Sequence, residues 1–461
     1  MRATARTRRG VTRADTGISA ALLVLALAGC TARGDEPASV ATSGVTQGGT
    51  SATRASTTCT AADPPQTAVP GTPDDTVDLL TWWEDGSQKA GLRKLVGVLS
   101  EQTGGTMSIR QDSPLGLGRT PPLLDYFASG GALDSYQLDV GQVGMRTLVA
   151  AGDACTLDGL YDDLGLAAVW PAGLRDRLAV DDHLDAMPAV ADRTNLLWSN
   201  RMVLAAAGLD PDATYATVDD WIAAMRKVQA AGAVPLTLGY AWTQALLAET
   251  VLLADLGPER YDGLWDGTTD WAEGDVAHAL GQVATIAAMS NDDRDQRDWT
   301  DDARSLAKGK AAFMVMGDWA REELARCSAV AGRDYTVAPV PGTSGTFAFI
   351  TDSFVWAGSV RHPAATRAWF EAMASGDGQG AVALSHGGVP VRTDVDPAPF
   401  DPFFREQITD WRHDALVLSH SVDHQSPGEV ETLLRDQVAA FVSGTTTAEE
   451  FAAAMTEGVA R

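Results

Sequence analysis

The sequence predicts an α/β protein whose sheet is largely parallel. Apolar residues at strand spacing alternate along the chain with apolar residues at helical spacing, which is the pattern of parallel strands covered by helices. The chain has 461 residues, of which 45% are apolar, so it is long enough for two packed domains. Its four cysteines are too few for a disulfide scaffold, and its one strongly apolar run is too short to span a membrane.

The first elements follow one another as strand, helix, helix and strand. Val77–Trp82 is a predicted strand, and the helix after it carries Leu92, Leu95 and Leu99 and ends at Gly104-Gly105. A second helix is predicted over 121–129 and a second strand over 138–142.

The clearest helix of the second half begins after Thr217. Asp220 follows three residues later, as in a capping box, and Trp221, Met225 and Val228 then lie on one face. The elements predicted after it are strands over 234–238 and 311–316 and helices over 243–256, 273–290, 363–375, 428–442 and 447–459.

The charge balance excludes one large class of partners. Thirty-five basic and 61 acidic residues give a formal net charge of −26, which opposes attraction to nucleic-acid phosphates and to anionic lipid. We therefore expect no nucleic-acid partner. A diffuse acidic surface of this kind serves mainly to keep a protein soluble.

The first 29 residues have the form of an export signal. A head with five arginines precedes the apolar stretch Ile18–Ala28, and Leu27-Ala28-Gly29-Cys30 ends it in the manner of a bacterial lipoprotein signal. We expect Cys30 to be lipidated; the alternative is an ordinary signal peptide with a chance cysteine. The general secretory and twin-arginine export routes both stay open. Residues 30–75 are rich in Thr, Ala, Ser, Gly and Pro and are predicted to form a flexible tether.

Catalytic and metal-binding motifs are mostly missing. The sequence has no Gly-x-Ser-x-Gly and no His-Glu-x-x-His, and its glycine-rich stretches do not fit a nucleotide site. His413, His420 and His424 lack the spacing of a metal site and are interpreted as surface histidines. The acidic run 292–302 lacks the features of a calcium loop and is interpreted as a solvated loop. No metal and no cofactor is expected.

Several tryptophans occur where strands end. Trp82 and Trp83 end the first strand, and because strand side chains alternate in direction, at least one should face a cleft. Trp242 and Trp319 also follow predicted strands, and ligands of open α/β sheets bind at such strand ends. For each one alone, packing in the core is an equal alternative. Aromatic faces beside polar side chains are what a neutral sugar requires.

The sequence resembles the extracellular solute-binding proteins of bacterial ABC sugar importers, and within this family it resembles the glucose-binding branch most. The resemblance runs from about Val77 to the C-terminus. Its specific pieces are Thr81-Trp82-Trp83, Asp139–Val143, Arg193–Trp198, Ala241–Gln244, Leu256–Pro258, Leu264–Gly267, Lys310–Ala320, Ala338–Thr343, Thr351–Phe354 and Asp410–Arg412.

The resemblance implies a fold of two α/β lobes with the ligand in the cleft between them. Lobe 1 would comprise residues 76–188 plus about 352–387, and lobe 2 about 189–351 plus 388–461. Strands would cross between the lobes near 188–195, 347–354 and 387–392. One pair among Cys59, Cys155 and Cys327 is expected to form a disulfide; Cys59–Cys155 is preferred because Cys327 would lie in lobe 2.

Ten residues match ligand-contacting positions of that family. The resemblance places Trp82, Trp83 and Gln142 on the rim of lobe 1, and Asn195, Trp242, Asp318 and Trp319 on lobe 2 or the crossing strands; Asp352, His386 and His420 match cleft-facing loops. The chain departs from the glucose-binding pattern at Asp192, where a histidine is usual, and at His386, where a lysine is usual.

The implied function is sugar capture for import. A monomeric protein, anchored by lipid to the extracytoplasmic face of the cell membrane, would bind a glucose-like monosaccharide or a small oligosaccharide and deliver it to permease subunits with a cytoplasmic ATPase. It would not be an enzyme. The alternatives are an exported carbohydrate-processing hydrolase, with Asp318 and Asp352 as paired carboxylates, and, third, a surface adhesion module.

Overall fold

The computed structural model describes residues 71–84, 86–112, 120–139, 142–422 and 429–459. The strands in these ranges are β1 (Thr76–Leu80), β2 (Ser108–Asp112), β3 (Ser135–Asp139), β4 (Ala186–Arg193), β5 (Leu196–Asn200), β6 (Val234–Leu236), β7 (Ala311–Val315), β8 (Tyr335–Pro339), β9 (Thr346–Trp356) and β10 (Ala415–Leu418). The described residues do not include the predicted signal peptide, Cys30 or Cys59, and they include only the end of the predicted tether.

Helices connect and cover these strands. They are α1 (Gly86–Gln102), α2 (Thr120–Ala128), α3 (Gln142–Ala151), α4 (Asp158–Asp163), α5 (Leu174–Leu178), α6 (Arg201–Ala206), α7 (Val218–Ala230), α8 (Ala241–Leu256), α9 (Pro258–Asp266), α10 (Gly274–Ala287), α11 (Trp299–Ala307), α12 (Ala320–Arg326), α13 (Pro363–Ala374), α14 (Gly376–His386), α15 (Pro402–His413), α16 (Glu429–Val442) and α17 (Ala448–Val459). None of these helices is both long enough and apolar enough to span a membrane.

The first sheet contains strands of both directions. Its order is β10-β9-β3-β1-β2, and β4 also pairs with β9. β1 runs parallel to β2 and β3, whereas β9 runs antiparallel to β3 and β4. The prediction of a largely parallel sheet is therefore only partly correct here, where three of five strand pairings are parallel, and it is wrong for the second sheet, where two of three are antiparallel. Alternating strands and helices predict parallel pairing only while the chain stays in one sheet, and β9 enters this sheet after β5 to β8 have formed another.

The second sheet has the order β6-β7-β5-β8. β6 and β7 are parallel, and β5 runs antiparallel to β7 and to β8, with Leu197 opposite Val315 and Ala338. Each sheet has its own core. Trp198, Trp221 and Phe313 belong to the core on the second sheet, and Trp356 and Trp369 to one on the first.

The chain passes between the two sheets through segments that pair with one another. Only Thr194 and Asn195 separate the end of β4 from the start of β5. Ala191 of β4 pairs with Thr351 of β9 and, through an isolated bridge, with Val389. These three segments are the ones for which the resemblance implies crossings. The lobe boundaries within them stay a prediction.

Local signals predict several elements well. Thr217 caps α7 by accepting the backbone N–H of Asp220 at 3.1 Å, and Trp221, Met225 and Val228 are buried on one face, which confirms that helix. The strand predicted over 138–142 is wrong in its bounds, because β3 ends at Asp139 and Gln142 already begins α3.

One of the two cysteines in the described part of the chain takes part in a disulfide. Cys155 is disulfide-bonded, and Cys327 is free. Because Cys59 lies outside the described residues, the pairing of Cys59 with Cys155 stays a prediction.

Candidate functional site

A cavity of about 340 Å³ lies where elements of the two sheets meet. Four tryptophans line it: Trp82 two residues after the end of β1, Trp242 in the first turn of α8, Trp299 at the start of α11, and Trp319 between β7 and α12. The carboxyl ends of β1 and β7 thus both open into it, as expected for a ligand site of an α/β protein. The other lining residues are Gly86, Ser87, Gln88, Asp192, Thr300, Glu322, Glu323, Arg326, Ile350, Asp352, His386 and Val422.

The position of Trp319 depends on the glycine two residues before it. A Cβ atom on Gly317 would lie 2.2 Å from Cζ3 of the Trp319 ring, so any side chain there would displace the ring. Trp319 is only half-buried and keeps ring surface for a ligand. Met316-Gly317-Asp318-Trp319 is therefore a unit in which the glycine lets the indole fold back over the chain.

Asp192, Asp352 and His386 form the floor of the cavity, and Asp318 adjoins Asp192 behind it. We call these four residues the acid–histidine cluster. His386 Nε2 lies 3.2 Å from Asp352 Oδ2, and His386 Nδ1 lies 3.8 Å from Asp192 Oδ1. The Arg193 backbone N–H donates to Asp318 Oδ2 at 3.0 Å. These side chains come from β4, from the segment after β7, from β9 and from the end of α14.

Burial raises the pKa of two carboxyl groups of this cluster, Asp192 and Asp318. It raises the pKa of Asp192 well above its usual value, and the charge of Asp318 acts in the same direction. Burial raises the pKa of Asp318 to about 7, although the hydrogen bond from Arg193 N–H opposes the shift. The two carboxyl groups are close enough to share a hydrogen bond, which requires one proton between them.

For His386 the neighbouring charges, not burial, decide the direction of the pKa shift. Burial lowers the pKa of His386, but the charges of Asp192 and Asp352 outweigh that effect, so its pKa is raised. An imidazolium between two carboxylates is an ion-pair arrangement, so we do not assign a metal site there, even though Asp192, Asp352 and His386 hold potential ligand atoms within 4.8 Å of one another. The ring of Trp83 covers the imidazole ring of His386, and the two ring centroids are 5.0 Å apart.

A polar contact joins the two sides of the cavity at its edge. Ser87 Oγ, in the first turn of α1, donates to Glu322 Oε2 of α12 at 2.5 Å, and we call this contact the Ser87–Glu322 bridge. Arg326 donates to the other oxygen of Glu322 at 2.7 Å. Burial alone would raise the pKa of Glu322, but Ser87 and Arg326 hold it below its usual value, so this carboxylate is ionised at neutral pH.

Five of the ten residues predicted as ligand contacts line the cavity: Trp82, Trp242, Trp319, Asp352 and His386. Asp318 adjoins Asp192 but does not itself line the cavity. Gln142 begins α3, and its side chain is not among those that the structure describes.

The structure does not bring Trp83, Asn195 or His420 into the cavity. Trp83 is fully buried and packs against Phe354 and His386, whereas its neighbour Trp82 lines the cavity. The amide of fully buried Asn195 binds Arg193 Nε, Thr343 and the backbone of β9, so it holds the crossing between the sheets. His420 stacks on Trp265, with ring centroids 4.1 Å apart, and is therefore not a free surface residue either.

Sequence reasoning missed Trp299. It lies in the acidic run 292–302, which is not entirely a solvated loop: its end forms α11, and Asp302 is buried, accepting a hydrogen bond from Thr237 at 2.6 Å. The sequence feature that could have predicted this helix is Asp298. Its side chain caps α11 by accepting the backbone N–H of Thr300, an arrangement typical of a helix start.

Comparison with known proteins supports the fold. A chitin oligosaccharide binding protein of known structure superposes with a TM-score of 0.69 at 19% identity, covering 84% of this chain and 99% of that one. The chain thus has the two-lobed α/β fold of such binding proteins, as the resemblance implied.

Relatives extend over most of the chain. A probable sugar-binding periplasmic protein of Mesorhizobium japonicum is 28% identical over 381 residues, which are 80% of this chain and 89% of the relative. An uncharacterized ABC transporter extracellular-binding protein of Pyrococcus horikoshii is 23% identical over 355 residues, 76% and 79% of the two chains. The family model for bacterial extracellular solute-binding proteins matches residues 126–380, more than half of the sequence. The chain therefore belongs to the family of bacterial extracellular solute-binding proteins.

Proposed function

We propose that this protein is the sugar receptor of an ABC importer and captures a glucose-like monosaccharide or a small oligosaccharide. One observation carries the proposal: four tryptophans and a set of buried carboxyl and imidazole groups line a single cavity between the two sheets. Indole faces suit the C–H faces of a pyranose ring, and ionisable groups replace the water that its hydroxyls lose. The relatives named as sugar-binding periplasmic proteins support the same ligand class.

Capture would involve both sides of the cavity. Trp82 lies on the side of the first sheet, whereas Trp242 and Trp319 lie on the side of the second. A sugar that contacts both sides binds best when they are close together, so it stabilises the closed arrangement. A permease with a cytoplasmic ATPase would then recognise that arrangement and supply the energy for import. The receptor would need no cofactor and would act as a monomer.

The alternative of a hydrolase has no support from the family or the relatives, which are binding proteins of transporters. The chemistry of the floor also argues against it. Asp352 is already engaged by His386 and by Gln137 Nε2 at 2.7 Å, and Asp318 is buried beside Asp192. Asp352 is thus already paired and Asp318 does not line the cavity, so the two carboxyl groups are not placed on either side of a glycosidic bond.

Calorimetry against a panel of hexoses, pentoses and disaccharides tests the proposal. We expect saturable binding of one sugar per chain for at least one member of the panel. Mass spectrometry after prolonged incubation should recover that sugar intact. If no sugar bound to the folded protein, the receptor assignment would fail; if the sugar were cleaved, the hydrolase would be preferred.

Membrane anchoring is a separate prediction, because Cys30 lies outside the described residues. We expect Cys30→Ser to release the exported chain from the membrane fraction, since the acyl chains attached there provide the anchor. Fractionation of cells expressing the variant and the unaltered chain measures it. A variant that stayed membrane-bound and was processed as usual would contradict the assignment.

A further inference from the structure

We propose that the preferred ligand is an amino sugar, a hexose in which a protonated amine replaces one hydroxyl and is held by Asp192 and Asp318. This inference rests on the proposed function and narrows its ligand class. The inference follows from a comparison of the carboxylates around the cavity: some are paired within the protein, and others are not.

Three of the acids at the cavity have donors or cations of their own. Glu322 is held by Ser87 and Arg326. Glu323 pairs with Arg304 Nε at 2.7 Å, and Asp352 pairs with His386. These carboxylates are neutralised within the protein and leave little attraction for a cationic ligand.

The Asp192–Asp318 pair lacks a close side-chain cation of this kind among the described residues, although Asp318 Oδ2 accepts the Arg193 backbone N–H at 3.0 Å. Asp192 Oδ1 and Asp318 Oδ1 are both buried and accept no hydrogen bond from any N–H or O–H donor there. The nearest side-chain cations are His386, 3.8 Å from Asp192 and closer to Asp352, and Arg193, whose guanidinium is committed to Asp410 at 2.7 Å. Asp192 lines the cavity whereas Asp318 lies behind it, so a ligand would reach the pair through Asp192.

Two buried carboxyl groups in contact cannot both ionise without a cation between them. A proton fulfils that role in the unliganded pair, which agrees with the raised pKa values of both groups. A neutral sugar can donate a hydroxyl to the pair but cannot replace the proton. An ammonium group can replace it, because it brings the positive charge together with hydrogen-bond donors.

The walls of the cavity favour the same ligand. A cation close to the face of an indole ring is attracted by its quadrupole, and Trp242 and Trp319 line the cavity from the side of the second sheet. Acetylation of the amine would remove the charge and with it both attractions. The structure therefore ranks a free amino sugar above its neutral hexose and above its N-acetyl derivative.

Calorimetry of the mature chain with matched sets tests this ranking. The probes are glucosamine, N-acetylglucosamine and glucose, with the corresponding galactose and mannose sets, at pH 7.0 and pH 5.0. For at least one set we expect the free amine to bind about ten- to a hundredfold more tightly than the neutral hexose at pH 7.0. Buffers of different ionisation enthalpy should reveal net proton release on binding of the amine and none on binding of glucose. The preference should shrink at pH 5.0, where the pair retains its proton.

Substitutions assign the effect to the pair. Asp192→Asn should reduce the amine-to-hexose affinity ratio toward one and abolish proton release, and Asp318→Asn provides the same test if the first variant folds poorly. The matched control is Asp292→Asn, an exposed aspartate with no charged partner among the described residues, which should keep the ratio. A neutral hexose that bound as tightly as its amine at pH 7.0 would overturn this inference and leave the receptor function intact. An amine preference that survived both substitutions would also overturn it, and a failure of every sugar to bind would overturn both proposals.

Discussion

Replacing Trp319 with alanine is expected to weaken sugar binding by at least about tenfold while the protein stays folded. The indole forms part of the cavity wall and is only half-buried, so its removal takes a stacking face from the ligand and leaves the core of the second sheet largely intact. Calorimetry gives the affinity, and thermal unfolding of the same sample gives the stability.

Trp170→Ala is the matched control for that experiment. Trp170 is also half-buried, but it packs edge-on against Tyr161 and does not line the cavity. Its loss should lower the melting temperature slightly and leave the sugar affinity unchanged. An affinity that stayed normal in folded Trp319→Ala would remove this tryptophan from the site. Trp242→Ala is less informative, because Trp242 is 3% exposed and its removal opens a cavity in the core.

The free energy of unfolding should decrease as the pH rises from about 4 to about 7. Burial raises the pKa of Asp318 to about 7 and that of Asp192 well above normal, so the folded protein holds protons that the unfolded chain has already released in this interval. His386 acts in the same direction, because its pKa is raised and its stabilising charge is lost as the pH rises through that pKa. Urea unfolding at intervals of half a pH unit measures the slope.

The variant Asp318→Asn isolates the contribution of Asp318 to the pH dependence of the free energy of unfolding. The pKa values of Asp185 and Asp302 are also raised, to about 6 in each case, so part of the slope will persist in the variant. We expect the part that Asn removes to amount to about 2–4 kcal/mol between pH 4 and pH 7.5. Asp292→Asn should keep the full slope. If Asp318→Asn kept it as well, the carboxyl group would already be ionised at low pH, and the proton shared with Asp192 would not exist.

Patterns confined to one element were predictable from the sequence. Thr217 and Asp220 identify the start of α7, and of the two neighbouring tryptophans, Trp82 lines the cavity while Trp83 lies in the core. α14 shows where such patterns fail. Its Gly-Asp-Gly-Gln-Gly start has low helix propensity, yet it is helical because Ser375 caps it and Gly91 of α1 lets His386 pack closely.

The acid–histidine cluster was not predictable as a unit. Asp192 and His386 are 194 residues apart in sequence, and their contact exists only because β4, β9 and the segment around Val389 lie side by side. Local propensity contains no information on such pairings, since they depend on which strands share a sheet. For the same reason the mixed direction of the first sheet and the role of Trp299 emerged only from the structure.

The Ser87–Glu322 bridge joins the two sides of the cavity through protein atoms alone. In the proposed capture mechanism a ligand enters only while the sides are apart, so each hydrogen bond between the sides reduces the fraction of molecules that can accept a ligand. A contribution of about 1–2 kcal/mol changes that fraction by about five- to thirtyfold, and the measured dissociation constant rises as the competent fraction falls. The same bond retains a sugar once it is inside, because the sides must separate again before release. Two receptors with identical cavities could therefore differ in uptake rate and residence time through this one contact at the edge.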